Sequence, residues 1–127
     1  MTPGCASMTK GDKANEGLAA AAGQFNNALR WNDAQGAAAW IPQALRGDYW
    51  TQMDAMQKKI RLMEYEIRDI VNDEATGSGT VIVHCKYYKM DNPTVKDVML
   101  RQTWLFDEKA KSWKVVKTDI ETLLTGK

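Results

Sequence analysis

The chain has 127 residues, 44% of them hydrophobic and 26% charged, and its seventeen basic and sixteen acidic residues leave a formal charge of +1. That length supports one core and is short for two ordinary domains. The two signs are interspersed, which excludes the basic stripe of a nucleic-acid binder, and no apolar run approaches the roughly 18 residues of a membrane-crossing helix.

Residues 1–12 carry Pro3, Gly4 and Gly11 without periodicity, and read as a flexible tail ahead of a single domain over residues 13–127. The two cysteines lie far apart, Cys5 in the tail and Cys85 in an apolar strand pattern, which argues against a disulfide framework. Gly4-Cys5-Ala6-Ser7 and the polar stretch through Gly11 resemble the processed end of a bacterial lipoprotein, where a small residue precedes the lipidated cysteine. Thr2 and Pro3 depart from that pattern. The resemblance implies that Cys5 carries lipid, that Met1 stands where a signal peptide was removed, and that the domain sits on the periplasmic side of a bacterial cell envelope. The alternative is an ordinary terminus with a free thiol on a cytoplasmic protein.

Leu18, Ala22, Phe25 and Leu29 recur at spacings of four, three and four, predicting a first helix of about 18 residues from Lys13. Asn32 and Asp33 offer an N-cap for a short second helix through Ala37 to Trp40, which Pro42 should stop. Gly47 then breaks the chain, and Asp48 can cap a third helix whose Tyr49, Met53, Met56 and Ile60 repeat the same spacing.

From Arg61 to Leu124 the pattern alternates as four strands do. In the first, Met63, Tyr65, Ile67 and Val71 share a side, with Asp69 among them, and Leu62, Glu64, Glu66 and Arg68 oppose them. After Asn72-Asp73-Glu74, a second strand presents Val81, Val83, Cys85 and Tyr87, with Gly77 and Gly79 ahead of them as candidates for a bulge or bend. Asp91-Asn92-Pro93 turns into a third strand with Val98, Leu100, Gln102, Trp104 and Phe106 on one side. A fourth opens at Trp113 after a polar loop and carries Val116, Ile120 and Leu124 on a shared side. The expected fold class is α+β: three N-terminal helices packed in a strongly curved, four-stranded antiparallel sheet, a cone-shaped domain.

Three helices, a turn near Gly47-Asp48, and long antiparallel segments ending in a hairpin of Trp104-Leu105-Phe106 and Trp113-Lys114-Val115-Val116 resemble the nuclear transport factor 2-like superfamily. The resemblance covers residues 13–124 and implies a pocket between sheet and helices; its hairpin carries no chemistry, and the fold hosts isomerases, dehydratases, cyclases and transport adaptors. A cystatin-like sheet on one helix is the rival, and it needs only one long helix.

In the ketosteroid isomerase branch of that superfamily, acidic residues and a tyrosine in the cone do the chemistry. The counterpart here would be Asp69 with Tyr65 or Tyr87, Gln102 orienting a polar ligand and Trp104 forming an apolar wall. A second interior carboxylate is missing from this set, so no catalytic residue is assigned, and Asp69 at the rim in water is the simpler alternative. The five residues Tyr65, Asp69, Tyr87, Gln102 and Trp104 stand as the expected ligand-binding set. His84 is the lone histidine, and with no second histidine or cysteine pair neither a metal nor another cofactor is expected. The leading reading is a noncatalytic cell-envelope domain binding a small molecule or a protein partner; the alternative is an isomerase- or dehydratase-like enzyme. The mixed-charge outer face of the sheet, interleaved with Leu62, Ile70, Ile82, Tyr88, Met99 and Leu105, offers a homodimer interface.

Overall fold

A computed structural model describes residues 10–73 and 75–125, with side chains from residue 17 onward, so Cys5 lies outside the described residues. Helix α1 (Lys10–Arg30) begins slightly earlier than expected and is followed by α2 (Ala34–Ala38), a 3-10 turn (Gln43–Leu45) and α3 (Arg46–Lys59). Strands β1 (Ile60–Asp73), β2 (Ser78–Lys89), β3 (Asn92–Asp107) and β4 (Ser112–Lys117) come next, and α4 (Ile120–Thr125) closes the described chain. The strands pair antiparallel in the order β1-β2-β3-β4, a meander in which each neighbour in sequence is a neighbour in space. None of the described helices is long and apolar enough to cross a membrane.

The helical stripes fold as the spacing requires. Leu18, Ala22, Phe25 and Leu29 of α1 are buried, as are Tyr49, Met53 and Met56 of α3 and Ile60 at the start of β1. Asp33 caps α2 by accepting a hydrogen bond from the Gly36 amide at 2.9 Å. Asp48 does not cap α3: that helix starts at Arg46, directly from the 3-10 turn, and Asp48 sits in its first turn, where a carboxylate still favours the helix dipole.

In the sheet, Val81, Val83, Cys85 and Tyr87 alternate inward on β2, and Leu100, Gln102 and Trp104 do so on β3. Gly79 continues the inward row because Leu18 needs its space: a Cβ there would lie 2.4 Å from Leu18 Cδ2. Gly77 takes a positive φ of 67° in the turn before β2.

Strand β1 departs from simple alternation. The partners Leu62↔Tyr87 and Glu64↔Lys86 leave Met63 as an extra residue, and Ile67↔Val83 and Asp69↔Ile82 leave Arg68 as another. Each bulge advances the side-chain phase by one residue. Leu62, Tyr65, Ile67 and Ile70 therefore share cross-strand rows with the buried Tyr87, Cys85, Val83 and Val81. Met63, Asp69 and Val71, all expected inside, are exposed, whereas Leu62 and Ile70, expected outside, pack against the core. Bulges also bend the strand and tighten its twist, which curves the sheet around α1.

The fourth strand is also corrected. Trp113 and Val115 are the buried residues of β4, opposite Phe106 and Trp104, and the strand ends at Lys117. Ile120 and Leu123 are buried from a helix, α4, where a strand side was expected. Asp119 makes the corner with a φ of 64°, a conformation that aspartate tolerates better than most residues, and its carboxylate accepts from Thr122 Oγ1 at 2.8 Å.

Candidate functional site

Strand pairing fixes where each expected ligand-binding residue stands. Tyr65, Tyr87, Gln102 and Trp104 face the interior; Asp69 pairs with Ile82 on the outer face and is exposed. The inward orientation of Asp69 is thus overturned, and its cause is the extra residue at Arg68. Nor do the four interior residues converge. Gln102 shares a row with Val81, and Tyr87 lies six residues further along β2, a separation of about 20 Å at strand rise.

What surrounds Gln102 is a closed polar cluster. Asn26 of α1 donates from Nδ2 to Gln102 Oε1 at 3.1 Å and to the Ala22 carbonyl at 2.8 Å, and Gln102 Nε2 donates back to Asn26 Oδ1 at 2.8 Å. Trp104 Nε1 donates to the same Gln102 oxygen at 3.4 Å. Asn26, Gln102 and Trp104 are all buried, and no buried side-chain polar atom among the described residues lacks a partner. An amide pair joined in both directions has little capacity left for a ligand. Sequence reasoning placed Gln102 inward and missed Asn26, whose signal was a polar residue four positions after Ala22, in phase with the apolar stripe.

Tyr65 donates its hydroxyl to the Gly23 carbonyl at 3.2 Å, fastening β1 to α1. Trp104 meets Phe25 edge-on at 5.7 Å and Trp40 at 6.3 Å. Of the three tryptophans in the helical half, Trp40 packs against the core. Trp31 is 66% exposed beneath the Arg30 guanidinium, and Trp50 is exposed against Tyr49.

Cys85 faces the core, and burial pushes its thiol up from 9.0 to about 12. Because the folded-state value is the higher one, this contribution to stability is complete below pH 9.0 and declines as pH rises from there toward about 12. In a Cys5→Ser background, Cys85 should react with an aromatic disulfide reagent at least about a thousandfold more slowly in the folded protein than in urea. Equal rates would place the thiol at the surface.

A cleft of about 180 Å³ opens between α3, β4 and α4, with Asp48, Tyr49, Gln52, Thr118, Asp119 and Glu121 among its walls. It is smaller than the roughly 300 Å³ at which small-molecule sites begin. Two of its polar groups are already engaged. Tyr49 donates to the Ala34 carbonyl at 2.7 Å, and burial, with the nearby Asp33 charge adding to it, raises its phenol well above the ordinary range. Asp119 accepts from the Arg101 amide at 3.0 Å.

The outer face of the sheet is different in kind. His84 lies between Asp97 Oδ1, 2.8 Å from Nε2, and Arg68 Nη2, 3.3 Å from Nδ1. A guanidinium can only donate, so Nδ1 accepts and Nε2 carries the proton shared with Asp97. Arg68 also pairs with Glu66 at 2.5 Å, and Lys86 with Glu64 at 3.6 Å. Exposed apolar side chains sit among these charges, Met99 at 51% and Leu105 at 43%. Among the described residues no group of three or more His, Cys, Asp or Glu side chains is placed to hold a metal ion.

Among solved structures, the chain is similar to a ketosteroid isomerase-like protein from Erwinia carotovora atroseptica. The TM-score is 0.60 at 12% identity, over 84% of this chain and 94% of that one. That likeness is one of fold alone. A SEC-C motif containing protein from Rhodopseudomonas palustris is similar too, with a TM-score of 0.58 at 12% identity, over 73% of this chain and 70% of that one. No family model and no curated protein matches the sequence. At 12% identity these neighbours share the backbone path and assign no residue a role.

Proposed function

We propose that this chain is a noncatalytic binding domain of the bacterial cell envelope, held by lipid on Cys5, whose working surface is the outer face of the sheet and whose partner is a protein. The observation that supports this reading most is the closed Asn26–Gln102–Trp104 cluster, which fills the interior where a ligand of this fold would sit. The carboxylate that an isomerase- or dehydratase-like reading requires, Asp69, stands in water on the other side of the sheet. A convex, mixed-charge face with exposed Met99 and Leu105 suits a protein surface better than a small molecule, which needs concavity.

Anchoring is tested in a bacterial host with the chain behind its native leader or a lipoprotein signal. Mass spectrometry should find lipid on Cys5, and Cys5→Ser should move the protein from the membrane to the soluble fraction; an unmodified Cys5 in the wild type contradicts the anchor. The working surface is tested separately with a photo-crosslinking residue at position 99. Crosslinks to protein should form there and not from the same residue at position 50 on α3. Their absence at position 99 sinks the outer-face reading.

A further inference from the structure

Of the two edges of the sheet, β1 is flanked by helix α1, to which Tyr65 is fastened through the Gly23 carbonyl. On the other side β4 pairs with β3 only from Thr103 to Asp107, which leaves the N-terminal half of β3 with no strand beyond it. The Arg101 amide shows which way that half points: it donates to Asp119 Oδ2 at 3.0 Å, away from β2. From Arg101 back to Lys96 the pairing with β2 is unbroken, so alternation turns the N–H and C=O of Met99 and Asp97 to the same open side. Among the described residues no group bonds to them.

We infer that this edge takes an extended segment of a protein partner as an added strand, antiparallel to β3 and lying alongside Met99, Val98 and Asp97. The inference rests on the outer-face reading above and specifies how that face holds its partner. A free row of backbone donors and acceptors is matched by another extended chain, which supplies its own in register.

Side chains set the sequence of that segment. Val95, Asp97 and Met99 alternate onto the outer face and are exposed, an apolar residue on either side of the carboxylate. Lys86, opposite Asp97 on β2, pairs with Glu64, and His84 meets Asp97 as a neutral imidazole, so the carboxylate keeps its charge. The segment that fits carries a lysine or arginine between two apolar residues at alternate positions, with a further apolar residue beside the half-buried Val98. A second copy of β3 does not supply this. In register it offers Asp97 a Val95, another Asp97, a Met99, or an Arg101 whose edge Asp119 already occupies.

The probe is the peptide acetyl-Thr-Val-Ile-Lys-Thr-Val-Thr-amide, its lysine set against Asp97 and its valines against Met99 and Val95. It should bind the full chain carrying Cys5→Ser saturably, with a dissociation constant below about 1 mM. Hydrogen exchange at the Asp97 and Met99 amides, fast in the free chain, should slow at least about tenfold at saturation. Met99→Pro removes an edge donor and no bond to β2, so circular dichroism should stay unchanged while the peptide weakens at least about tenfold. Met99→Ala keeps the edge and should weaken it less than about threefold. Replacing the peptide's lysine with glutamate should weaken binding to the wild type, and Asp97→Lys should reverse that preference. No saturable binding up to about 1 mM overturns the inference. So do Asp97 and Met99 amides that exchange equally with and without peptide, or a Met99→Pro chain that binds as the wild type does. Crosslinks from position 99 to a protein, together with unprotected edge amides, would overturn strand addition while leaving the outer-face reading intact.

Discussion

Trp104→Ala should lower the unfolding free energy by roughly 3 to 5 kcal/mol in chemical denaturation. The indole is fully buried near the C-terminal end of β3, with Gly79 of β2 and Val115 of β4 as its cross-strand partners and Phe25 and Trp40 edge-on against its ring. Truncation removes most of that contact and leaves a cavity that helix α1 and the Trp40 segment border on two sides. The Trp40 segment cannot easily follow the collapse, because the Val115 amide donates to the Trp40 carbonyl at 2.8 Å and Lys114 Nζ donates to the Ala39 carbonyl at 3.0 Å. Trp104→Phe keeps a ring in the same place and should cost less. A loss below about 1 kcal/mol for the alanine variant would put Trp104 outside the well-packed core. Since typical domains have only about 5 to 15 kcal/mol in total, the alanine variant is also expected to unfold at much lower denaturant.

The core elements around Trp104 were legible in the sequence because their signals are local and periodic. Leu18, Ala22, Phe25 and Leu29 mark a helix face by spacing alone, and Val81 to Tyr87 and Val98 to Trp104 mark strand faces by alternation. Strand β1 shows where that method stops. Between its two bulges, Tyr65 and Ile67 face inward, as the odd-numbered alternation read along the whole strand places them; outside the bulges, at Met63, Asp69 and Val71, the phase has slipped by one. A bulge leaves no periodic trace in one strand, since it is defined by the count of residues on the partner. The expected site failed for this reason: its one carboxylate lay on the far side of a bulge.

Helix α4 was hidden differently. Ile120 and Leu124 are four apart, a spacing that fits either a strand side or a helix face, and Leu123 tips the balance to the helix. The sequence did hold a boundary signal in Thr118-Asp119-Ile120-Glu121, where a hydroxyl residue stands three positions before a glutamate, as in a capping box. In the structure Thr118 Oγ1 accepts from the Ile120 amide at 3.4 Å. Asp119 turns the chain with its positive φ, so the helix folds back over the core through Ile120 and Leu123.

The second large effect concerns the amide pair, which no single-sequence pattern could reveal because Asn26 and Gln102 are 76 residues apart. Gln102→Met keeps the shape of the side chain and removes its polar end. It leaves Asn26 Oδ1 and Trp104 Nε1 buried without their partners, an expected cost of about 2 to 6 kcal/mol at 1 to 3 per stranded group. Asn26→Ala strands Gln102 Nε2 and opens a small void as well. The double variant should lose less than the sum of the two, by about 1 to 3 kcal/mol, because the second substitution removes groups that the first had already orphaned; the void contributes equally to both arms of the cycle and cancels. Additivity within about 0.5 kcal/mol would mean that each amide finds water when the other is gone. The interior would then be open enough to admit a small polar molecule, and the case for the outer face as the working surface would lose its main support.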